Sequence, residues 1–161
     1  MNDDLVDSPS TTVPRNRFRP PLAVGVEVPS AAVRWHRDIG DDIVVERIRE
    51  SGLRESIRAR AELRSHSVTP SNLLVALEID ALVSTDAATA RAALVEAGES
   101  PNGGTTFRYV GTVNGLLSLI TDAYTTEVAD GFIVHAIDGV STTSALTGRL
   151  FPLLVTTTAA G

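Results

Sequence analysis

One histidine of the sequence lies where a catalytic group could act. His135 comes near the end of the apolar run Asp130–Ile137 (DGFIVHAI), and in βα barrels binding and catalysis occur at the carboxyl ends of the strands. Its imidazole could donate a hydrogen bond to a bound molecule, and Asp138, just beyond, could orient the ring. The alternative is a half-buried strand histidine without a functional role.

A second candidate site follows the first apolar run, Leu22–Val28. Glu27 lies at the end of this run, and Ser30 comes at the predicted start of a short helix. A helix N-terminus with a serine hydroxyl binds anions readily, because its free N–H groups and its dipole both favour negative charge. Gly25 would allow the backbone to approach a ligand closely. The alternative is that Ser30 only caps the helix.

Several other kinds of site are excluded. The sequence contains no cysteine, which removes disulfides, thiolate metal sites and cysteine nucleophiles. It has no glycine-rich dinucleotide fingerprint, no phosphate-binding Gly-Lys-Ser/Thr loop and no nucleophile elbow. Its histidines and acidic residues lack the spacing of a metal-binding motif. The sequence therefore predicts no metal site.

The charge pattern argues against a nucleic-acid partner. The 161 residues carry a net charge of −6, and all 14 basic residues are arginine, which fits a bacterium with a GC-rich genome. The densest arginine group, from Arg47 to Arg64, alternates with glutamates, a pattern typical of a solvated helix face. An acidic chain without a basic cluster is a poor nucleic-acid binder.

No targeting or membrane segment is predicted. The first 12 residues are polar and acidic, unlike a signal peptide. No apolar run approaches the ~20 residues of a membrane span. We therefore expect a cytoplasmic protein without a membrane partner.

Apolar strands alternate with amphipathic helices along the chain. The main predicted strands are Leu22–Val28, Asp42–Val45, Leu73–Val83 and Asp130–Ile137, with a brief extended piece at Phe107–Val110. The predicted helices are Ala31–Arg37, Glu46–Ser65, Asp86–Ala97, the segment from Thr112 to Tyr124, and Ser144–Leu154. For Leu73–Val83 a helix is the alternative, since leucine and alanine are good helix formers.

This alternation indicates an α/β domain with a parallel sheet. Its four main strands can form either a small open sheet or half of a (β/α)8 barrel. We assign residues 1–20 to an extended, proline-rich lead-in, residues 21–155 to the domain, and residues 156–161 to a flexible tail.

Three stretches, taken in order, carry a resemblance to a known family. Residues 12–45 contain RPPLAVGVEVPS, an Arg-Pro and apolar strand followed by a serine and a second strand. Residues 67–97 contain an apolar strand followed by STDAATARAALVEA, and residues 109–154 contain YVGTVNG, ADGFIV and a closing segment. Together they resemble the luciferase-like flavin-dependent monooxygenase superfamily, especially its alkanesulfonate, nitrilotriacetate and dibenzothiophene-type branch. The family's usual Pro-Glu after Gly-Thr is replaced by Val113-Asn114.

The resemblance implies both a fold and a chemistry. The fold would be a partial (β/α)8 TIM barrel, comprising roughly the last four βα units with parallel strands. Reduced FMN, or a deazaflavin in related branches, would bind at the barrel mouth, and FMN-dependent members react it with dioxygen to oxidise a small organic substrate. The flavin phosphate would lie near Gly25, Glu27 and Ser30, and His135 would be a donor to flavin or substrate.

The length of the chain limits this expectation. A complete barrel needs about 250 residues, and the resemblance begins just before the fifth strand. Activity would then require an N-terminal half-barrel partner, or two copies joined as a homo-oligomer. One alternative is a truncated, inactive homologue, either a binding and assembly protein or a gene remnant, with no cofactor in the isolated chain. Another is an unrelated α/β domain that binds an anionic ligand at Ser30.

Overall fold

The computed structural model describes residues 19–100 and 103–159, except for the side chains of residues 158 and 159. Its strands are β1 (Ala23–Glu27), β2 (Arg34–Trp35), β3 (Val44–Ile48), β4 (Leu73–Val83), β5 (Phe107–Gly111) and β6 (Gly131–Ala136). Its helices are α1 (Leu53–His66), α2 (Ala87–Glu96), α3 (Val113–Thr125), α4 (Val140–Ala145) and α5 (Phe151–Ala159). Most of the lead-in predicted for residues 1–20 lies outside the described residues.

β4 is the central strand of the sheet. Its 11 residues are apolar except for Glu78 and Asp80, which allows both of its faces to be buried. β6 pairs with one side of β4, while β3 pairs with the first half of the other side and β5 with the second half, all in parallel. β1 lies parallel to β6 on its outer side, and the short β2 pairs antiparallel with β1.

The predicted α/β class with a mostly parallel sheet is confirmed, but the strand order differs from that of consecutive barrel units. In a barrel each strand neighbours the next one along the chain, so β1 would pair with β3. Instead β6, the last strand in sequence, lies between β1 and β4. Hydrophobic patterning shows which faces of a strand are buried and not which strands it pairs with, so it could not predict this order. Only β3, β4 and β6 keep a barrel-like order, with β5 beside β4 beyond the end of β3.

The two faces of the sheet are covered differently. One face is apolar throughout and packs against α1, α3 and the C-terminal helices, with Leu77 and Phe132 buried at its centre. On the opposite face, here called the second face, Val33 and Trp35 cover the apolar amino end. Helix α2 covers the carboxyl end of the second face around Leu82. The charged side chains described below lie between these two covers.

The helix predicted at Ala31–Arg37 is wrong. Pro29 and Ser30 form a turn in which the Ala31 N–H donates to the Val28 carbonyl at 3.1 Å, and Ser30 has φ 66°. A Pro-Ser pair suits a turn of this kind as well as a helix start. Pairing of the following residues with β1 decides in favour of the turn.

The predicted start of the long charged helix is also too early. Residues 46–48 belong to β3, and α1 begins at Leu53, directly after Gly52. Pairing with β4 keeps the earlier residues extended. Gly52, which lies within the predicted helix Glu46–Ser65, therefore precedes the observed one.

The C-terminal helical segment begins at Val140 and continues through Pro152 to Ala159, which includes part of the predicted tail. A π-helical turn, Leu146–Leu150, precedes Pro152. The wider turn accommodates a residue that has no N–H to donate and that clashes with the carbonyl of a regular helix. Within residues 19–100 and 103–159, none of the helices has the length and apolar character needed to cross a bilayer.

Three predicted elements are confirmed, namely the strand Leu73–Val83 and the helices predicted from Asp86 and from Thr112. The strand predicted at Leu73–Val83 has the observed bounds of β4. The Asp86 carboxylate caps α2 by accepting from the Thr89 N–H at 2.8 Å. The Thr112 hydroxyl caps α3 by accepting from the Gly115 N–H at 3.1 Å.

A buried carboxylate joins four segments at the amino end of the sheet. Asp130 is fully buried just before β6. Its Oδ1 accepts hydrogen bonds from Arg19 and Arg60, and its Oδ2 accepts from Arg64 and from the Val75 N–H. We call Asp130 and its three arginines the amino-end cluster. The cluster connects the start of the domain, α1, β4 and β6, so its role is to hold the fold together.

Candidate functional site

Three strands bring one histidine and two glutamates together on the second face. Glu27 ends β1, Glu78 lies within β4, and His135 lies in β6. His135 is in register with Glu27 on one side and with Asp80 on the other. Because side chains alternate along a strand, Glu78 shares the face of Asp80. The ligand atoms of Glu27, Glu78 and His135 all lie within 4.8 Å of one another.

Two arginines from β3 and its extension bind these carboxylates. The Arg47 guanidinium donates to both oxygens of Glu27, at 3.0 and 2.8 Å. Its Nε also lies 2.7 Å from Glu78 Oε1, and the Arg49 Nε contacts Glu78 Oε2. We call these five residues the carboxyl-end cluster. Its fixed charges balance, with two carboxylates facing two guanidinium groups.

The two glutamates differ in how deeply they are buried. Glu78 is buried, with 1% of its surface exposed, whereas Glu27 is half-buried. The hydrogen bonds from Arg47 lower the pKa of the Glu27 carboxyl, against the opposing effect of partial burial. In turn, the hydrogen bond with Glu27 raises the pKa of the Arg47 guanidinium. The pair therefore stays ionised, and Glu78 is the carboxylate that most needs a cationic partner.

His135 lies between the two carboxylates. Its Nδ1 is 3.3 Å from Glu27 Oε2, and its Nε2 is 3.5 Å from Glu78 Oε1. Nε2 is buried and has no hydrogen-bond partner. An imidazole between two carboxylates can hold a proton, pass it on, or coordinate a cation.

The cluster is reached through a cleft at the carboxyl ends of β1 and β6. The cleft has a volume of about 330 Å³ and is lined by Glu27, His135, Ala136 and residues 28–31. The helix after β4 lies on the second face, whereas the helices after β6 lie on the opposite face. Open α/β sheets bind ligands beside such a change of side.

The sequence candidates separate into two groups. Glu27 and His135 are brought together in the cluster, although they are far apart in sequence. Gly25 is not available to a ligand, because Val33 and Trp35 fill the space where its side chain would be. Asp138 does not orient His135, since its carboxylate accepts from the Thr142 N–H at 3.1 Å in the first turn of α4.

The predicted anion site at Ser30 is also corrected. Ser30 lies in the turn after β1 and is exposed, so no helix N-terminus supports it. It remains part of the lining of the cleft. A binding role based on helix capping is therefore excluded for this residue.

Sequence reasoning missed Glu78, Arg47 and Arg49. Glu78 and Asp80 are the two acidic residues within an otherwise apolar strand, and their spacing of two places them on one face. This spacing of two acidic residues was the feature of the sequence that indicated a polar site. Arg47 and Arg49 had been assigned to a solvated helix face, but Arg47 lies in β3 and Arg49 follows it directly. The prediction that no metal site exists relied on linear motifs, and the cluster comes from three separate strands.

A flavin fits this site only in part. The His135 imidazole, which lines the cleft, and the Arg47 guanidinium carry donors that could face a polar ring edge. Gly25 and Ser30 do not form the expected phosphate site. The two carboxylates beside them would repel a phosphate.

Comparisons with known proteins do not assign the chain to a family. No protein-family model matches the sequence, and no curated protein matches it at a significant level.

Proposed function

We propose that this chain is the closing part of a luciferase-like, flavin-dependent oxidoreductase, whose flavin ring would be held at the carboxyl-end cluster. The observation that carries the proposal is the convergence of Arg47, Glu78 and His135 on one face of β3, β4 and β6, the three parallel strands that keep a barrel-like order. The three stretches of sequence resemblance support the same assignment. When bound, a reduced flavin supplies the electrons for activating dioxygen.

The proposal includes a change of strand partner. In a completed (β/α)8 barrel, β1 would leave β6 and pair with β3, and the first strand of the other half would take its place beside β6. The bidentate ion pair between Arg47 of β3 and Glu27 of β1 supports this, because it already connects the two strands across the second face. The completing half would be an N-terminal partner polypeptide or a second copy of the chain.

Each residue of the cluster has a defined part in this proposal. His135 would donate a hydrogen bond to the flavin or to a small organic substrate, and Glu78, whose Oε1 lies 3.5 Å from Nε2, would hold the ring in position. Arg47 would hold the two carboxylates in place. The phosphate would be bound by the completing half, since Gly25 and Ser30 do not provide a site for it.

Flavin titration of the isolated chain tests the proposal. Oxidised FMN and riboflavin should bind with similar affinity, followed by quenching of flavin fluorescence, because this half offers no phosphate site. His135→Ala should weaken the binding of both flavins. His66→Ala, which alters an exposed histidine of α1, should leave the affinity for both unchanged. Addition of the completing half should strengthen FMN binding selectively. The proposal fails if no flavin binds with or without that half.

The second candidate function is that of a non-catalytic binding or assembly protein derived from such an enzyme. The observations that favour it are the strand order and the packing of Val33 and Trp35 over Gly25. A chain of this kind would form a stable complex with a half-barrel partner, measured by light scattering, without binding FMN or a deazaflavin.

A further inference from the structure

The carboxyl-end cluster has the donor set of a transition-metal site. One imidazole nitrogen and two carboxylates, from three strands, lie within 4.8 Å of one another. Mixed nitrogen and oxygen ligands of this kind suit Zn²⁺, Mn²⁺ and Fe²⁺ better than Mg²⁺ or Ca²⁺, which prefer oxygen alone. We propose that Glu27, Glu78 and His135 bind a divalent transition-metal ion, and that Arg47 and Arg49 take its place when no metal is present.

The burial of Glu78 and of His135 Nε2 supports a built site over a chance surface cluster. Glu78 is 1% exposed and projects from the central strand, so its carboxylate has a fixed position. The buried His135 Nε2 lies 3.5 Å from this carboxylate and has no hydrogen-bond partner. Buried polar atoms are nearly always paired, so an unpaired imidazole nitrogen beside carboxylates indicates a missing partner. A metal ion would satisfy both groups at once.

The arginines can leave the site, whereas the Glu78 carboxylate cannot. The side chains of Arg47 and Arg49 are 37% and 65% exposed, which allows both guanidinium groups to turn into solvent. Glu78 has no such freedom and needs positive charge nearby. A divalent cation would supply this charge from within the cluster, with a neutral imidazole as third ligand. The binding site is thus one in which arginine and metal compete for the same carboxylates.

This competition gives the proposal a distinctive test. Tag-free protein would be titrated with Zn²⁺ by calorimetry and with Mn²⁺ by electron paramagnetic resonance. Arg47→Gln should bind each metal about tenfold more tightly or better, because it removes a positive charge from the site. A site for an anionic ligand would show the reverse, with Arg47→Gln abolishing phosphate binding and no metal bound. Arg91→Gln, an exposed change on α2, is the matched control and should leave metal affinity unchanged.

Two ligand variants complete the test. Substitution of residues that only support the ligands of a metal already lowers the metal affinity about 10–100-fold. Loss of a ligand itself, in His135→Ala or Glu78→Gln, should therefore lower the metal affinity at least about tenfold. The matched controls His66→Ala and Glu96→Gln alter exposed helical residues. Circular dichroism establishes that each variant is folded, and Zn²⁺ should raise the melting temperature of Arg47→Gln more than that of the original protein. The proposal is overturned if Arg47→Gln weakens metal binding, or if both ligand variants bind as the original does. Flavin titration does not enter this test, so the two proposals stand or fall separately.

Discussion

The amino-end and carboxyl-end clusters use the same residue types in opposite ways. At the amino end, Asp130 is fully buried and its three arginines are nearly so, with side chains 10%, 11% and 16% exposed. Every carboxylate oxygen there accepts hydrogen bonds. At the carboxyl end, Glu78 is buried but its arginines are exposed, and a neighbouring imidazole nitrogen has no partner.

The difference indicates a division of roles between the two ends of the sheet. Partners that are all buried cannot change without local unfolding, so the amino-end cluster serves stability. Partners that are exposed can exchange with a ligand, so the carboxyl-end cluster is suited to binding. The same division is found in parallel βα folds generally, where residues at the carboxyl ends of strands bind and those at the amino ends stabilise.

The largest expected effect comes from neutralising Asp130. Asp130→Asn would leave three largely buried guanidinium groups without their anion, and breaking buried ion pairs in this way costs about 3–5 kcal/mol. We expect a loss of that size in the free energy of unfolding, measured by urea denaturation. Asp122→Asn, an exposed change on α3, is the control and should alter the free energy by less than about 0.5 kcal/mol.

A small loss of stability in Asp130→Asn would contradict the division of roles between the two clusters. If the variant lost less than about 1 kcal/mol, the amino-end arginines would have to be held by packing alone. The two clusters would then not differ in the way that their burial indicates.

Glu78→Gln tests whether the carboxyl-end cluster contributes to stability. It also neutralises a buried carboxylate, but Arg47 and Arg49 can become hydrated once their partner is lost. Burying a neutral amide also costs less than burying a charge. We therefore expect the free energy of unfolding to change by no more than about 1 kcal/mol in urea denaturation. Glu96→Gln on α2 serves as the control, and a loss as large as that of Asp130→Asn would make both clusters structural.

The elements that the sequence predicted well have strong local patterns, although a helix was an alternative for Leu73–Val83. Leu73–Val83 is too apolar for anything but a buried segment, and the capping residues Asp86 and Thr112 mark their helices locally. Local chemistry alone determines such features. Glu27 and His135 could be identified as candidates because both end apolar strands.

The failures come from interactions between segments that are distant in sequence. The turn at Ser30 depends on the pairing of β2 with β1, and Arg47 lies in a strand because β4 pairs beside it. The position of β6 between β1 and β4 likewise follows from packing and not from periodicity. Glu78 was overlooked because it is surrounded by apolar neighbours in sequence, whereas its partners come from three other strands and the residue after β3.

The smallest expected effect concerns the pH dependence of stability and involves His36, a half-buried histidine outside both clusters. His36 lies beside β1, where its Nδ1 is 3.0 Å from the Val24 nitrogen. Burial lowers the pKa of this imidazole from its usual 6.5. Because the unfolded chain then binds the proton more readily, His36 stabilises the fold above pH 6.5, and that contribution is lost as the pH falls through the lowered pKa.

Urea denaturation at several values between pH 7 and pH 5 checks this contribution. The free energy of unfolding should fall with pH in the original protein, and His36→Asn should reduce the slope, since asparagine has no proton to gain in this range. The slope should persist in Glu78→Gln and in His66→Asn, because neither change touches His36. If Glu78→Gln removed the slope instead, the acid sensitivity would belong to the carboxyl-end cluster and not to His36.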